Sequence, residues 1–314
     1  VPMRYSGPKR RGCRSSLTDP VFWLLWAIAN KMEQMKQHLL LVGCPDRTGL
    51  VHLITGALYK QGLNIVRNGE FVDRENGRFY MRTEFAGECD YDQVRKELAG
   101  LGNEQGTTWM RFYPPRPKDV VVLVTKEHHC LGDLLVRHAY GDLNARILAF
   151  VSNHEVLGDL VRKFDLPFHF VPHTKKDRQT HEREVLAVVR QYPIDYLVLA
   201  KYMRILSAQF IESFPSKIIN IHHSFLPAFI GANPYKQAFE RGVKTIGATA
   251  HFVTDDLDDG PIIAQDVIPV DHTQSARDMA RAGRDVEKIT LARALGLVFD
   301  DRVVVTGNKT IIFD

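Results

Sequence analysis

With 314 residues, 45% of them apolar and 25% charged, the chain has a globular composition and length enough for two domains with buried cores. Its formal net charge of +4 sits at one end: residues 1–31 carry six basic groups (Arg4, Lys9, Arg10, Arg11, Arg14, Lys31) against Asp19, which leaves −1 for the other 283 residues. A body so close to neutral has no basic surplus for nucleic acid. The four scattered cysteines (Cys13, Cys44, Cys89, Cys130), with no CxxC pair, point to reduced thiols in a cytoplasmic protein rather than to a disulfide frame or a zinc site.

The apolar run "VFWLLWAIA" (21–29) is too short to cross a bilayer, so no membrane partner is expected. It follows basic residues and imitates a signal peptide, but nothing downstream looks secreted. The plainer reading makes 1–35 an extension, disordered or produced by a start assigned too early, with the working protein beginning near Met32 or Met35.

From His38 the pattern is regular. "HLLLVGC" reads as a strand, "DRTGLVHLITGALYKQG" as a helix closed by Gly62, "LNIVRNGEFVDR" as a second strand, and "RFYMRTEFAG" as a third after the turn "ENG". "DYDQVRKELAGLG" then gives a helix and "TTWMRFY" a fourth strand. This βαββαβ order predicts a ferredoxin-like domain over 36–113, an antiparallel sheet with both helices on one face. The proline-rich, charged "PPRPKD" (114–119) reads as a linker.

After it comes "VVVLVT" (120–125), a continuous apolar run of the kind shown by buried parallel strands. Further strands are expected at "ARILAFVSN", "FHFVPH", "DYLVLA", "KIINIHH", "ATAHFVT" and "GPIIAQDVIPV". Helices are expected near 131–139, 154–164, 179–191, 207–213 and 275–297, and a closing hairpin at "RVVVTGNKTIIF". The alternation predicts an α/β domain over 120–314 with a doubly wound, mostly parallel sheet, whose ligands sit beyond the carboxyl ends of its strands.

Two segments carry chemistry. In "KIINIHHSFLPAFIGANPY", Asn220 and His222 end an apolar strand two residues apart and therefore face the same side. In "IGATAHFVTDDLDDGPII", a strand bearing His251 runs into Asp255, Asp256, Asp258 and Asp259. A calcium loop would need more oxygen ligands at alternating spacing, and zinc a third ligand that the spacing does not offer. Ser224 lacks the G-x-S-x-G elbow of a serine hydrolase. What is left is an Asn, a His and an Asp on strand-end loops, suited to acyl chemistry without a covalent nucleophile. The amide can donate to an oxyanion, the imidazole can donate to it or carry a proton, and the carboxylate can orient the imidazole or a water.

Together with "KEHHCLGDLL", "LAKYMRIL" and "RAGRDVEK", these segments resemble the formyltetrahydrofolate deformylase family from about residue 35 to the end. Residues 38–112 look like an ACT regulatory domain, with "PDRTGLVHLITGALYKQGLNIV" as its signature, and 120–314 like the formyl-transfer fold of glycinamide ribonucleotide formyltransferase. The resemblance implies hydrolysis of 10-formyltetrahydrofolate to formate and tetrahydrofolate by Asn220, His222 and Asp258, with no metal and no other cofactor. It implies a pterin pocket lined by Met203, Arg204, Ile205 and Leu206, much of it through backbone, with His251 and Asp256 lining the site further on.

Transfer to an amine and a catalytically dead amino-acid sensor are the alternatives. The transferase relatives hold their acceptor's phosphate in a glycine-rich loop after the first strand, whereas this chain has Glu127, Asp133 and a single glycine, Gly132, in that segment. His128 and His129 read there as plain surface residues at a helix start. Relatives commonly carry a basic residue at the position of Asn233 and a histidine at Lys236, which bears on affinity for the folate's glutamate tail.

In the ACT segment, Asp46, Arg47 and Gly49 lie in a strand-to-helix turn whose free N–H groups suit an amino acid's carboxylate, and Asn64 is expected close by. Asp46 and Thr48 alternatively cap the helix. The resemblance implies a small amino-acid effector, glycine or methionine, and a homo-oligomer.

Overall fold

The computed structural model describes residues 36–99, 108–228 and 234–314, and the chain divides into two compact units at Pro114/Pro115. The expected extension over 1–35 lies outside the described residues, as do Gly231 and Asn233. Among the described residues no helix is long and apolar enough to cross a membrane.

The first unit holds strands β1 (Gln37–Pro45), β2 (Asn64–Asp73), β3 (Arg78–Ala86) and β4 (Trp109–Tyr113) in one antiparallel sheet of order β2-β3-β1-β4. Helices α1 (Leu50–Lys60) and α2 (Tyr91–Glu97) fall between β1 and β2 and between β3 and β4. Alternate residues of β1 (Leu40, Val42, Cys44) pack with Ile54 and Leu58 of α1 and Val94 of α2, because a strand's period of two puts one set of side chains on one face. The βαββαβ expectation holds. Asp90 caps α2 by accepting from the Asp92 and Gln93 amides, which fixes its start.

The second unit is built on a seven-stranded sheet. Its strands are β5 (Lys118–Val124), β6 (Ala145–Ser152), β7 (Phe168–Phe170), β8 (Tyr196–Leu199), β9 (Ile218–His222), β10 (Thr245–Phe252) and β11 (Ile262–Pro269), in the order β11-β10-β9-β8-β5-β6-β7. The five from β7 to β9 are parallel; β10 runs antiparallel to them, and β11, antiparallel to β10, points the same way as the five. The chain winds outward from β5 to β7, then returns to β8 on the other side of β5, so the winding reverses between β5 and β8. A separate hairpin of β12 (Val303–Thr306) and β13 (Lys309–Ile312) closes the chain.

Both faces are covered. Val120, Val122 and Val124 of β5 pack with α3 (His128–Tyr140) and α8 (Ala276–Phe299). Val121 and Leu123 pack with α5 (Arg178–Val189) and α6 (Ala208–Glu212). A strand buried on both faces needs the unbroken apolar run that the sequence shows.

Three expectations change. The linker is shorter than 114–119, because β5 begins at Lys118. Lys118 and Asp119 are buried, pairing with Asp301 at 2.7 Å and Arg146 at 2.7 Å. The helix expected over 154–164 is a 3-10 turn, Glu155–Leu157, leading into α4 (Gly158–Arg162). A helix unmarked in the sequence, α7 (Pro234–Arg241), follows β9; its polar "PYKQAFER" buries only Pro234 and Ala238, too few apolar positions to show a period.

Candidate active site

Asn220 and His222 lie within β9, not on a loop after it. Ile219 and Ile221 turn toward α3 and α8, whereas Ile218 packs on the α5 and α6 side, so Asn220 and His222 share that second face. The neighbouring strand brings in a third group, since His251 of β10 stands directly opposite Asn220 in the ladder. Directly opposed side chains lie within reach of each other, and Asn220 Nδ2 is 3.2 Å from His251 Nε2. The other ring nitrogen, Nδ1, is 2.9 Å from the Phe252 carbonyl oxygen. A carbonyl only accepts, so Nδ1 carries the proton and Nε2 accepts from the Asn220 amide. Burial lowers the His251 pKa against the opposing pull of the Phe252 carbonyl and Asp258, which keeps the ring neutral and its lone pair available. One hydrogen of the Asn220 amide is thereby held and the second is left for the cavity. The β10–β11 ladder shifts register between Ala250 and His251, an irregularity beside this pair of the kind that re-aims side chains at functional sites.

Asp258 arrives on the loop between β10 and β11. The loop is pinned at its end, where a Cβ on Gly260 would stand 1.8 Å from the Phe252 carbonyl oxygen, so only glycine lets the backbone approach so closely. Asp258 itself has φ 56, a left-handed conformation that costs a non-glycine residue about 1–2 kcal/mol. That conformation aims its carboxylate at both imidazoles. Oδ2 lies 3.3 Å from His222 Nδ1, and Oδ1 lies 3.8 Å from His251 Nε2. Burial pushes the Asp258 pKa up, but the hydrogen bond and charge of His222 outweigh it and hold the carboxyl below its ordinary value. His222 is 5% exposed, and its far nitrogen, Nε2, is buried with no hydrogen-bond partner among the described residues. An unsatisfied buried polar atom costs about 1–3 kcal/mol, and it marks where a substrate or water atom fits.

These groups open onto a cavity of about 290 Å³. Every residue expected from the sequence lines it: Asn220, His222 and Asp258, then Met203, Arg204, Ile205 and Leu206 after β8, with His251 and Asp256. Met203 and Ile205 are 54% and 59% exposed and Leu257 is 52% exposed, so three apolar side chains rim the cavity. The Met203 amide is held by the Thr125 hydroxyl at 3.1 Å, which ties the loop to the end of β5. Asp256 is exposed. Ser224 donates to the Ala228 carbonyl at 2.7 Å, so its hydroxyl is engaged away from the cavity, consistent with its exclusion as a nucleophile.

Sequence reasoning missed one wall of the site. Lys201 and His223 also line the cavity, and behind them lies a buried carboxylate, Glu287 of α8. Glu287 takes the Lys201 ammonium at 3.1 Å, His129 Nε2 at 2.8 Å and the Tyr235 hydroxyl at 2.5 Å. His129 is therefore no surface residue: its side chain is 7% exposed and turned inward to a charge. His128 is exposed, as expected. The signal was present in α8, where Met279, Gly283, Val286, Thr290 and Leu291 form a buried stripe and Glu287 interrupts it with an acid. Atoms of His129, Cys130 and Glu287 come within 4.8 Å of one another, but the Lys201 ammonium already holds the positive position beside that carboxylate, so the group does not suit a cation.

The wall makes stability depend on pH. His223 is held neutral by burial and then by the Lys201 charge, its pKa lowered from 6.5 to about 4. The unfolded chain takes up a proton between those values that the folded chain refuses, so stability rises with pH across that window. Glu287 is pushed up by burial but pulled further down by His129, Lys201 and Tyr235, to about 2 from an ordinary 4.5. Its contribution is whole above pH 4.5 and lost as pH falls toward 2. Each shift corresponds to about 3 kcal/mol at most. The melting temperature is expected to fall steadily from pH 6.5 to pH 2, and His223→Asn to reduce the slope above pH 4. A variant whose upper slope matches the wild type contradicts this account.

The effector-site residues are only partly brought together. Asp46, Arg47 and Gly49 are exposed in the turn before α1, and the N-cap of that helix is Gly49 (φ 88) with no side-chain cap, so neither Asp46 nor Thr48 caps it. Asn64 is not close by. It pairs with Ala86, which pairs with Gln37, whereas Pro45 pairs with Arg78, so Asn64 stands at the opposite end of the sheet from Asp46. At ~3.3 Å per residue the separation is roughly 25 Å. A strand–helix–strand crossover sets β1 and β2 in the same direction, so the start of β2 lies beside the start of β1, not its end.

Residues 118–295 match the formyl transferase family and residues 38–103 the ACT domain. The formyltetrahydrofolate deformylase of Escherichia coli is 52% identical over 90% of this chain and 100% of its own length. That of Bacillus subtilis is 44% identical over 88% of this chain and 93% of its own. A crystal structure of the formyltetrahydrofolate deformylase from Pseudomonas syringae matches with a TM-score of 0.85 and 39% identity, covering 94% of this chain and 100% of that one. A glycinamide ribonucleotide transformylase from Symbiobacterium toebii matches 63% of this chain, with a TM-score of 0.60 and 30% identity. With the expected ACT domain, formyl-transfer sheet and chain order all in place, the chain belongs to the formyltetrahydrofolate deformylase family.

Proposed function

We propose that the protein hydrolyses 10-formyltetrahydrofolate to formate and tetrahydrofolate, with Asn220, His222 and Asp258 as its catalytic residues and no metal or other cofactor. The observation that carries this reading is the buried Nε2 of His222, unpartnered among the described residues and facing the cavity, with its other nitrogen on Asp258. With Asp258 accepting from Nδ1–H, Nε2 is the basic atom. It takes a proton from a water as the water oxygen attacks the formyl carbon. The second Asn220 amide hydrogen and the new imidazolium face the oxyanion, and Asp258 offsets the imidazolium charge. The imidazolium then returns the proton to N10, the carbon–nitrogen bond breaks, and formate and tetrahydrofolate leave. The pterin ring is assigned to the apolar rim and backbone of Met203–Leu206, with His251 and Asp256 alongside.

On this reading the enzyme is cytoplasmic, releases formate for purine synthesis and balances one-carbon pools. Its ACT domain takes a small amino acid, glycine or methionine, at Asp46, Arg47 and Gly49. Asn64, at the other end of the sheet, is left out of that site, and the proposal includes a homo-oligomer because ACT domains pair through their sheets or helices. The test is formate release by the purified protein from 10-formyltetrahydrofolate with no added acceptor, repeated with each amino acid. Turnover that appears only when an amine is supplied rejects the hydrolase reading.

A further inference from the structure

The group of Lys201, Glu287, His129 and Tyr235 takes no part in the proton transfers above, yet Lys201 lines the cavity beside His223, and the other three stand behind that pair. Its members come from four places: α3 (His129), the segment after β8 (Lys201), α7 (Tyr235) and α8 (Glu287). Their side chains converge on one carboxylate that is 1% exposed. The backbone is shaped for it. Lys201 has φ 61, a conformation rare for a residue with a side chain. In α8, a Cβ on Gly283 would stand 2.1 Å from the Tyr235 ring, so the helix carries a glycine, otherwise unfavourable there, to admit that ring. Three partners around a buried acid satisfy its lone pairs and fix the positions of a lysine and two rings.

The wall is one ring away from the reacting groups. The His222 and His223 rings are 5.0 Å apart, and His223 and Tyr235 are 6.3 Å apart. Lys201 follows two residues after Leu199, whose ladder partner is Asn220. The space beyond His223, between it and Tyr235, is about 20 Å³, room for little more than one water. The larger cavity, about 290 Å³, is lined by Met203–Leu206 and Asp255–Asp258 together with Lys201 and His223.

We propose that this wall is what makes water the acceptor: with the formyl donor lying on the Met203–Leu206 side, the remaining approach to the formyl carbon is narrowed by Lys201 and His223, held in place by the side chains gathered on Glu287 behind them, until an amine larger than water cannot align. The proposal rests on the hydrolase reading and adds its specificity. In the transfer that the wall prevents, an amine nitrogen would form the bond to the formyl carbon, the bond to N10 would break, and the amine's proton would pass to N10, so no other reactant is needed.

The experiment compares two products from 10-formyltetrahydrofolate, formate and N-formylglycinamide, with glycinamide in large excess. Wild-type protein is expected to release formate and form no N-formylglycinamide. His129→Ala and Tyr235→Ala each remove bulk behind Lys201 and His223 while leaving the Lys201–Glu287 pair, and each is expected to form N-formylglycinamide at about tenfold or more above the detection limit that bounds the wild type. A second measurement needs no variant: with the wild type, ammonia, methylamine and glycinamide are offered in turn, and formylation is expected to vanish as the amine grows. Formylation of glycinamide by the wild type overturns the proposal, as do folded variants that still release formate and form no N-formylglycinamide. Absence of formate release by the wild type rejects the hydrolase reading itself and is a separate outcome.

Discussion

Replacing His222 by alanine is expected to lower kcat for formate release by about three to four orders of magnitude, the upper range for removing a general acid–base. In the mechanism proposed, one nitrogen both accepts the proton from water and returns it to N10, so both steps lose their carrier together. KM is expected to change little, because Met203–Leu206, the segment proposed to hold the pterin, is separate from His222. The ring is almost fully buried, so the variant is checked by its melting temperature before its rate is interpreted. Formate release within tenfold of the wild type by a folded His222→Ala protein removes the imidazole from the mechanism.

Asp258→Asn is the second large effect expected, about two to four orders of magnitude in kcat. Asparagine tolerates the left-handed backbone at φ 56 and keeps the shape of the side chain, so the fold is expected to survive. The charge does not survive. An amide nitrogen facing Nδ1 would act as donor, leave the lone pair there and place the His222 proton on Nε2, the tautomer that cannot take a proton from water. The imidazolium would also lose its counter-charge. Changing a triad aspartate to asparagine in serine proteases costs about 10⁴-fold for the same reason. A steady-state rate near that of the wild type contradicts the pairing of His222 with Asp258. Lost rate with an unchanged melting temperature supports it.

Much of this was legible in the sequence. The unbroken valines of β5, the period-two alternation of β1 and the order of strands and helices all reflect local burial patterns, and the two units formed as expected. "NIHHSF" and "TDDLDDG" broke those patterns with polarity that a core does not require, and all three of their singled-out residues line one cavity. α7 and Glu287 were harder to read. The first has too little apolar surface for a period, and the second is a single acid inside a stripe whose partners are unseen until the helix is placed.

The sequence by itself determined the two units and the segments that supply Asn220, His222 and Asp258, because these depend on side-chain polarity repeating over short distances. The tertiary structure alone decided which groups meet. His251 reaches Asn220 through the antiparallel register of β10 on β9, and Glu287 finds His129 across 158 residues. Asn64 is carried away from Asp46 by the direction of a crossover. Register, crossover direction and helix docking are set by how whole faces pack, and no short window of residues encodes them.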